Sequence, residues 1–183
     1  MIALHSFFAE AVAVGEIALG EMSGSETEIE VQEIRCTPLG DFAEQGLRLS
    51  EDLVAGVIGR LEGGTPGSIQ VVMEPEDALV WAQIGSVDDP VERFVALGTA
   101  VLEGIATGFS EILERVVSLS DPKLVEDAEL ATFVKTHAPS DTLVFSAHLR
   151  IDVRDETVFA VSHLLVEPKY LAQLLSALSA AVH

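Results

Sequence analysis

Apolar residues recur at spacings of three and four along residues 4–22, where Phe7, Phe8, Ala11, Val14, Ala18 and Met22 share one face. This spacing predicts a first long helix, ended by Ser23-Gly24-Ser25. A second small-residue-rich stretch, residues 91–116, predicts another, with Asp88 and Asp89 favourably placed at its N-terminus. Strict alternation of Leu143, Phe145, Ala147, Leu149 and Ile151 with Val144, Ser146, His148, Arg150 and Asp152 predicts a half-buried strand. A turn at Arg154-Asp155-Glu156 leads into a second strand, residues 158–166. Ile29 and Val31 alternate in one phase and Ile34 and Cys36 in the other, so a bulge near Gln32-Glu33 is expected. Residues 53–61 and 68–73 are predicted strands, joined through the glycine-rich loop 63–67. Residues 76–83 predict a short helix with Trp81 as a core anchor, and residues 169–182 a last helix. Residues 38–51 are expected to connect elements with at most one helical turn, and residues 121–137 to be helical.

The pattern repeats. Val71-Val72-Met73-Glu74-Pro75 precedes one short helix, and Leu164-Leu165-Val166-Glu167-Pro168, 93 residues on, precedes another. Each half also opens with a long helix. The expected fold is therefore α+β: one domain of two α-β-β-β-α halves, about residues 1–87 and 88–183, with antiparallel sheets and two long helices. A chain of 183 residues is long enough for one ordinary core.

Thirty acidic residues against ten basic ones give a net charge of −20. Such a surface repels phosphate backbones and anionic lipid, so neither nucleic acid nor membrane is an expected partner. Solubility accounts for the charge as readily as steering toward a basic partner does. The N-terminal stretch lacks a basic region, and Glu10 and Glu16 interrupt it, so neither a signal peptide nor a membrane span is expected and the location is read as cytoplasmic. Cys36 stands alone, which rules out an intrachain disulfide, and is expected to be a buried structural thiol. His148 and His163 fall on one face of paired strands, yet a zinc site needs three or four ligands; a surface pair and no metal are expected. No nucleophile elbow, phosphate loop or dinucleotide fingerprint is present, and no cofactor is expected.

Several landmarks fall in a recognisable order: Ala18-Leu19 and Met22-Ser23-Gly24 on the first helix, Cys36-Thr37-Pro38-Leu39 at a strand exit, and Glu74-Pro75-Glu76-Asp77-Ala78-Leu79 at the short helix. In the second half, Leu97-Gly98-Thr99-Ala100-Val101-Leu102-Glu103-Gly104 falls on a Glu-x-x-Asn-Ile-Leu-x-Gly pattern. This order resembles the CheC/CheX/FliY family of chemotaxis phosphatases, in its two-halved CheC form. The resemblance implies a Glu and an Asn three residues apart on one face of each long helix. The Glu would anchor the helix on a phosphorylated CheY-like receiver domain. The Asn would place a water in line with the aspartyl phosphate.

This chain departs from the pattern at those positions. Ser6 and Leu97 stand at the Glu positions and Ala9 and Ala100 at the Asn positions, and asparagine occurs nowhere in the sequence. None of the five glutamines lies on either long helix. The resemblance thus implies the family fold without its catalytic residues, in a protein that binds a response-regulator receiver domain or a CheD-like protein. Glu10, Ala13, Glu103 and Gly104 are candidate partner-binding residues, on helix faces so small that they suit a docking helix or tight internal packing equally. Two alternatives stand beside this reading: an active phosphatase using Glu10 or Glu103, and a structural role like that of the FliM middle domain.

Overall fold

The computed structural model describes residues 2–45, 55–64, 66–84, 89–126 and 141–181. The elements are α1 (Ile2–Ser23), β1 (Thr27–Pro38), α2 (Leu39–Gln45), β2 (Ala55–Gly63), β3 (Gly67–Met73), α3 (Pro75–Trp81), α4 (Pro90–Leu113), β4 (Val117–Glu126), β5 (Leu143–Val153), β6 (Glu156–Val166) and α5 (Pro168–Ala181). The described strands form one six-stranded antiparallel sheet in the order β1-β5-β6-β3-β2-β4, where the sequence pattern predicts antiparallel sheets in the plural.

That order reads the same from either end once β1 is matched with β4, β2 with β5 and β3 with β6. Each half keeps its own hairpin but lends its first strand to the other: β1 pairs with β5, and β4 with β2. The halves meet at β3 and β6, where Gln70 lies opposite His163, its own counterpart 93 residues on. The pseudo-two-fold axis passes between these residues. The bulges obey it too. Gln32 is the extra residue of β1, and Asp121-Pro122 the irregularity of β4, with Asp121 at φ 51°.

β4 corrects one expectation, because residues 121–126 are strand and not helix. The rest of the expected helix, residues 127–137, lies outside the described residues. The connection after Pro38 holds a seven-residue helix, α2. The apolar face of α1 is also shifted: Phe7, Phe8, Ala11, Val12 and Leu19 are buried, whereas Met22 is exposed.

α1 and α4 lie antiparallel across one face of the sheet, over Ile69, Val71, Leu149, Ile151 and Leu164. They approach to backbone contact. A methyl on Gly104 would lie 2.3 Å from Gly15 Cα, and one on Gly108 2.5 Å from Ala11 Cα. Beside this crossing, Phe7 stacks on Phe109 at 4.7 Å, with Phe8 edge-on at 5.9 Å. Asp89 caps α4 by accepting the N–H groups of Val91 and Glu92 at 2.8 and 3.0 Å, as the acid cluster before that helix predicts. The opposite face of the sheet is covered by α2, whose Leu39 and Phe42 pack on Val144 and Leu165.

Gly104→Val should destabilise the fold by about 3 kcal/mol, because the branched side chain forces two packed backbones apart. Gly40→Ala, with nothing within 4 Å of the added methyl, should stay within about 0.5 kcal/mol of the parent. Urea-unfolding midpoints compare the two; equal midpoints would contradict the crossing.

Candidate functional site

The two-fold relation fixes which residues of α1 and α4 are equivalent. Both helices end in a left-handed residue, Gly24 at φ 67° and Glu114 at φ 50°, 90 positions apart. The same spacing superposes buried on buried: Phe7 on Leu97, Phe8 on Gly98, Ala11 on Val101, Val12 on Leu102, Gly15 on Ile105 and Leu19 on Phe109. Ser6 therefore corresponds to Ala96, and Ala9 to Thr99.

These counterparts lie one residue before Leu97 and Ala100. Leu97 and Ala100, read from sequence as the second-half positions, are 1% and 6% exposed and correspond to Phe7 and Glu10. Gly104 is likewise unavailable to a partner, since it forms the α1–α4 crossing with Gly15. Ser6, Ala9, Glu10 and Ala13 are exposed on α1, as is Glu103 on α4. Glu103 corresponds to Ala13, so the two candidate glutamates are not symmetry mates.

Neither helix presents an acid and an amide three residues apart at these places. Ser6 and Ala9 offer a hydroxyl and a methyl; Ala96 and Thr99 offer a methyl and a hydroxyl whose oxygen is buried without a partner. Glu16 is engaged internally. Its carboxylate accepts the N–H of Ile29 at 2.9 Å, while His5 Nε2 lies 3.1 Å from the carbonyl of Val31. Together they occupy the outer edge of β1 and blunt it against further pairing.

The remaining candidates fall elsewhere. His163 and His148 lie diagonally on the face of the sheet away from α1, as expected, but His163 is 2% exposed and not on the surface. Its Nδ1 is 2.8 Å from Ser146 Oγ, and Phe42 packs edge-on against the ring. Burial, with a smaller effect of the nearby His148, lowers the His163 pKa to about 3 and keeps the ring neutral. Gln70 beside it has both side-chain polar atoms buried and unpartnered. Neither Gln70 nor this polar cluster was singled out from sequence; a polar pair at the centre of an apolar β3–β6 repeat was the available signal. Cys36 is exposed on edge strand β1, which corrects its reading as a buried thiol, and partial desolvation raises its pKa. Trp81 is fully buried in the core. Among the described residues, no group of three or more His, Cys, Asp or Glu is placed to hold a metal ion. α4 is long and apolar enough to cross a membrane, but here it is a core helix packed on the sheet and α1.

No family model matches the chain, and no curated protein matches it in sequence. Solved structures do. Thermotoga maritima FliY superposes with a TM-score of 0.77 at 13% identity, over 97% of this chain and 94% of that one. The chain has the CheC-like fold. The FliM middle domain from H. pylori matches it with a TM-score of 0.62 at 11% identity, over 97% of this chain and 95% of that one. A chain of the CheX–CheY–BeF3–magnesium complex from Borrelia burgdorferi matches with a TM-score of 0.51 at 18% identity, over 86% and 96% of the two chains. Identities this low establish the CheC-like fold and leave the activity to the residues.

The buried imidazole makes this example of the fold sensitive to acid. Between about pH 3 and 6.5 the unfolded chain binds a proton at His163 that the folded chain does not. The stability this residue confers is complete above 6.5 and is lost as pH falls, by about 1.4 kcal/mol per unit. His163→Gln should flatten the stability profile between pH 6.5 and 5 relative to the parent in urea titrations; an unchanged slope would show that the ring is protonated in the folded state.

Proposed function

We propose that this protein belongs to a chemotaxis or flagellar-switch apparatus, binds a response-regulator receiver domain through the outer faces of α1 and α4, and does not hydrolyse its aspartyl phosphate. The observation that carries the reading is the chemistry of those faces. The positions that would hold a carboxylate and an amide hold Ser6 and Ala9 on one helix and Ala96 and Thr99 on the other. The Ala9 methyl orders no water, the Thr99 hydroxyl oxygen is buried, and the chain has no asparagine to replace them. The likeness to a CheX structure solved with CheY supports the choice of partner. The exposed α1 stripe of Ser6, Ala9, Ala13 and Ile17, the last 63% exposed, offers a smooth apolar strip for it. Such a protein works in the cytoplasm and acts by occupancy, and a CheD-like protein is a further partner of the same reading.

A second reading, a structural element of the switch, is favoured by shape. The FliY and FliM domains superpose on this chain better than CheX does, and FliM of H. pylori has been solved with FliG. Stable incorporation into a multimer with a FliG-like protein, without receiver binding, would select it. The third, a phosphatase built on Glu10 or Glu103, requires phosphate loss that disappears when both are replaced.

Mixed with phosphorylated receiver domains, the protein should form a phosphorylation-dependent complex and leave phosphate loss at its spontaneous rate. Ala13→Arg, placed in the exposed strip, should weaken the complex at least about tenfold without unfolding the protein. Accelerated phosphate loss would contradict the reading, as would binding indifferent to Ala13→Arg.

A further inference from the structure

β3 ends at Met73 while β6 runs past it: their last pair is Val72 with Val161, and the chain leaves the sheet into α3. A pocket of about 270 Å³ opens where β3 departs. Its polar lining is Gln32, the bulge residue of β1, with Glu74 and Asp77 of the α3 N-terminus and His148 of β5. Val72 and Val161 form buried apolar walls, and Phe159 borders it, 51% exposed. One carboxylate oxygen of Asp77 accepts the N–H of Phe159 at 3.1 Å. In an extended strand the carbonyl of a residue points to the same side as its N–H, so the Phe159 carbonyl faces the lane that β3 has left. The described lining thus combines two carboxylates, the Gln32 amide, the His148 imidazole, a backbone carbonyl and an aromatic ring, with no lysine or arginine among it. The adjacent Arg150 is held away by Asp152 at 3.1 Å and, more loosely, by Glu30 at 4.0 Å.

We propose that this pocket binds the side chain of an arginine presented by a basic segment of a partner protein. A guanidinium carries several N–H donors in one plane, which suits two carboxylates and a carbonyl set around one opening. Its flat face stacks on an exposed ring such as Phe159. The net charge of −20 draws a basic segment to the surface, and the pocket gives it a place to seat. The symmetry counterparts of Asp77 and Phe159, 93 residues away, are Tyr170 and Pro66, so the other half does not repeat the chemistry. The proposal is independent of receiver binding, which uses the opposite side of the sheet.

The probe is a short acetylated, amidated glycine-arginine-glycine peptide, titrated into the isotope-labelled full chain and followed by amide chemical shifts. Saturable shifts confined to Gln32, Asp77, His148, Phe159 and Val161 are expected. The matching citrulline peptide, neutral but of the same shape, should give none, and the lysine peptide a weaker response. Glu74→Gln with Asp77→Asn should weaken binding at least about tenfold while keeping the Phe159 cap, because the Asn carbonyl still accepts that N–H. Phe159→Thr, at an exposed strand position, should weaken it independently. Shifts spread over the acidic surface, an equal response to citrulline, or unchanged affinity in both variants would overturn the proposal.

Discussion

The contact between Gly15 and Gly104 sets what this protein can show to a partner. Two long helices meet there backbone to backbone, and no side chain larger than hydrogen fits on Gly104 without separating them. The crossing turns Leu97, Ala100, Gly104 and Gly108 inward and leaves only the strips through Ser6, Ala9 and Ala13 on α1 and through Glu103 on α4 outward. Small residues on these helices are therefore first a packing device. The partner they admit so closely is the other half of the same chain.

The exchange of first strands ties the halves into one unit. Because β1 completes the second half and β4 completes the first, neither half has its full sheet without the other. The axis at Gln70 and His163 places two polar side chains at the centre of the sheet. The histidine is satisfied by Ser146, but no bond reaches the amide of Gln70.

Much of this architecture was legible in the sequence. Val-Val-Met-Glu-Pro and Leu-Leu-Val-Glu-Pro marked the ends of β3 and β6, and the alternation in residues 143–152 announced β5. The phase change between Val31 and Ile34 announced the β1 bulge. Strand β4 was hidden because Asp121-Pro122 breaks its alternation, leaving acids and apolar residues at spacings that also suit a helix. The exchange of β1 and β4 was invisible, since alternation reports which face a residue takes and not which strand it pairs with. The repeat spacing is not constant: 93 residues at the strand ends but 90 along the helices. A row of Ala, Gly and Thr carries too little contrast to show the difference. Cys36 deceived for a related reason: strand alternation cannot tell that a strand lies at the edge of its sheet.

The chain has the CheC-like fold, and the proposed receiver-binding faces of α1 and α4 carry no carboxylate–amide pair at Ser6 and Ala9 or at Ala96 and Thr99. The most direct measurement is amide-shift mapping of the labelled protein on addition of a beryllofluoride-activated receiver domain. The account predicts perturbation of the outer faces of α1 and α4, centred on exposed Ser6, Ala9 and Ala13 or on half-buried Ala96 and Thr99. Perturbation confined to the face of the sheet covered by α2, or none at saturating receiver, would contradict it.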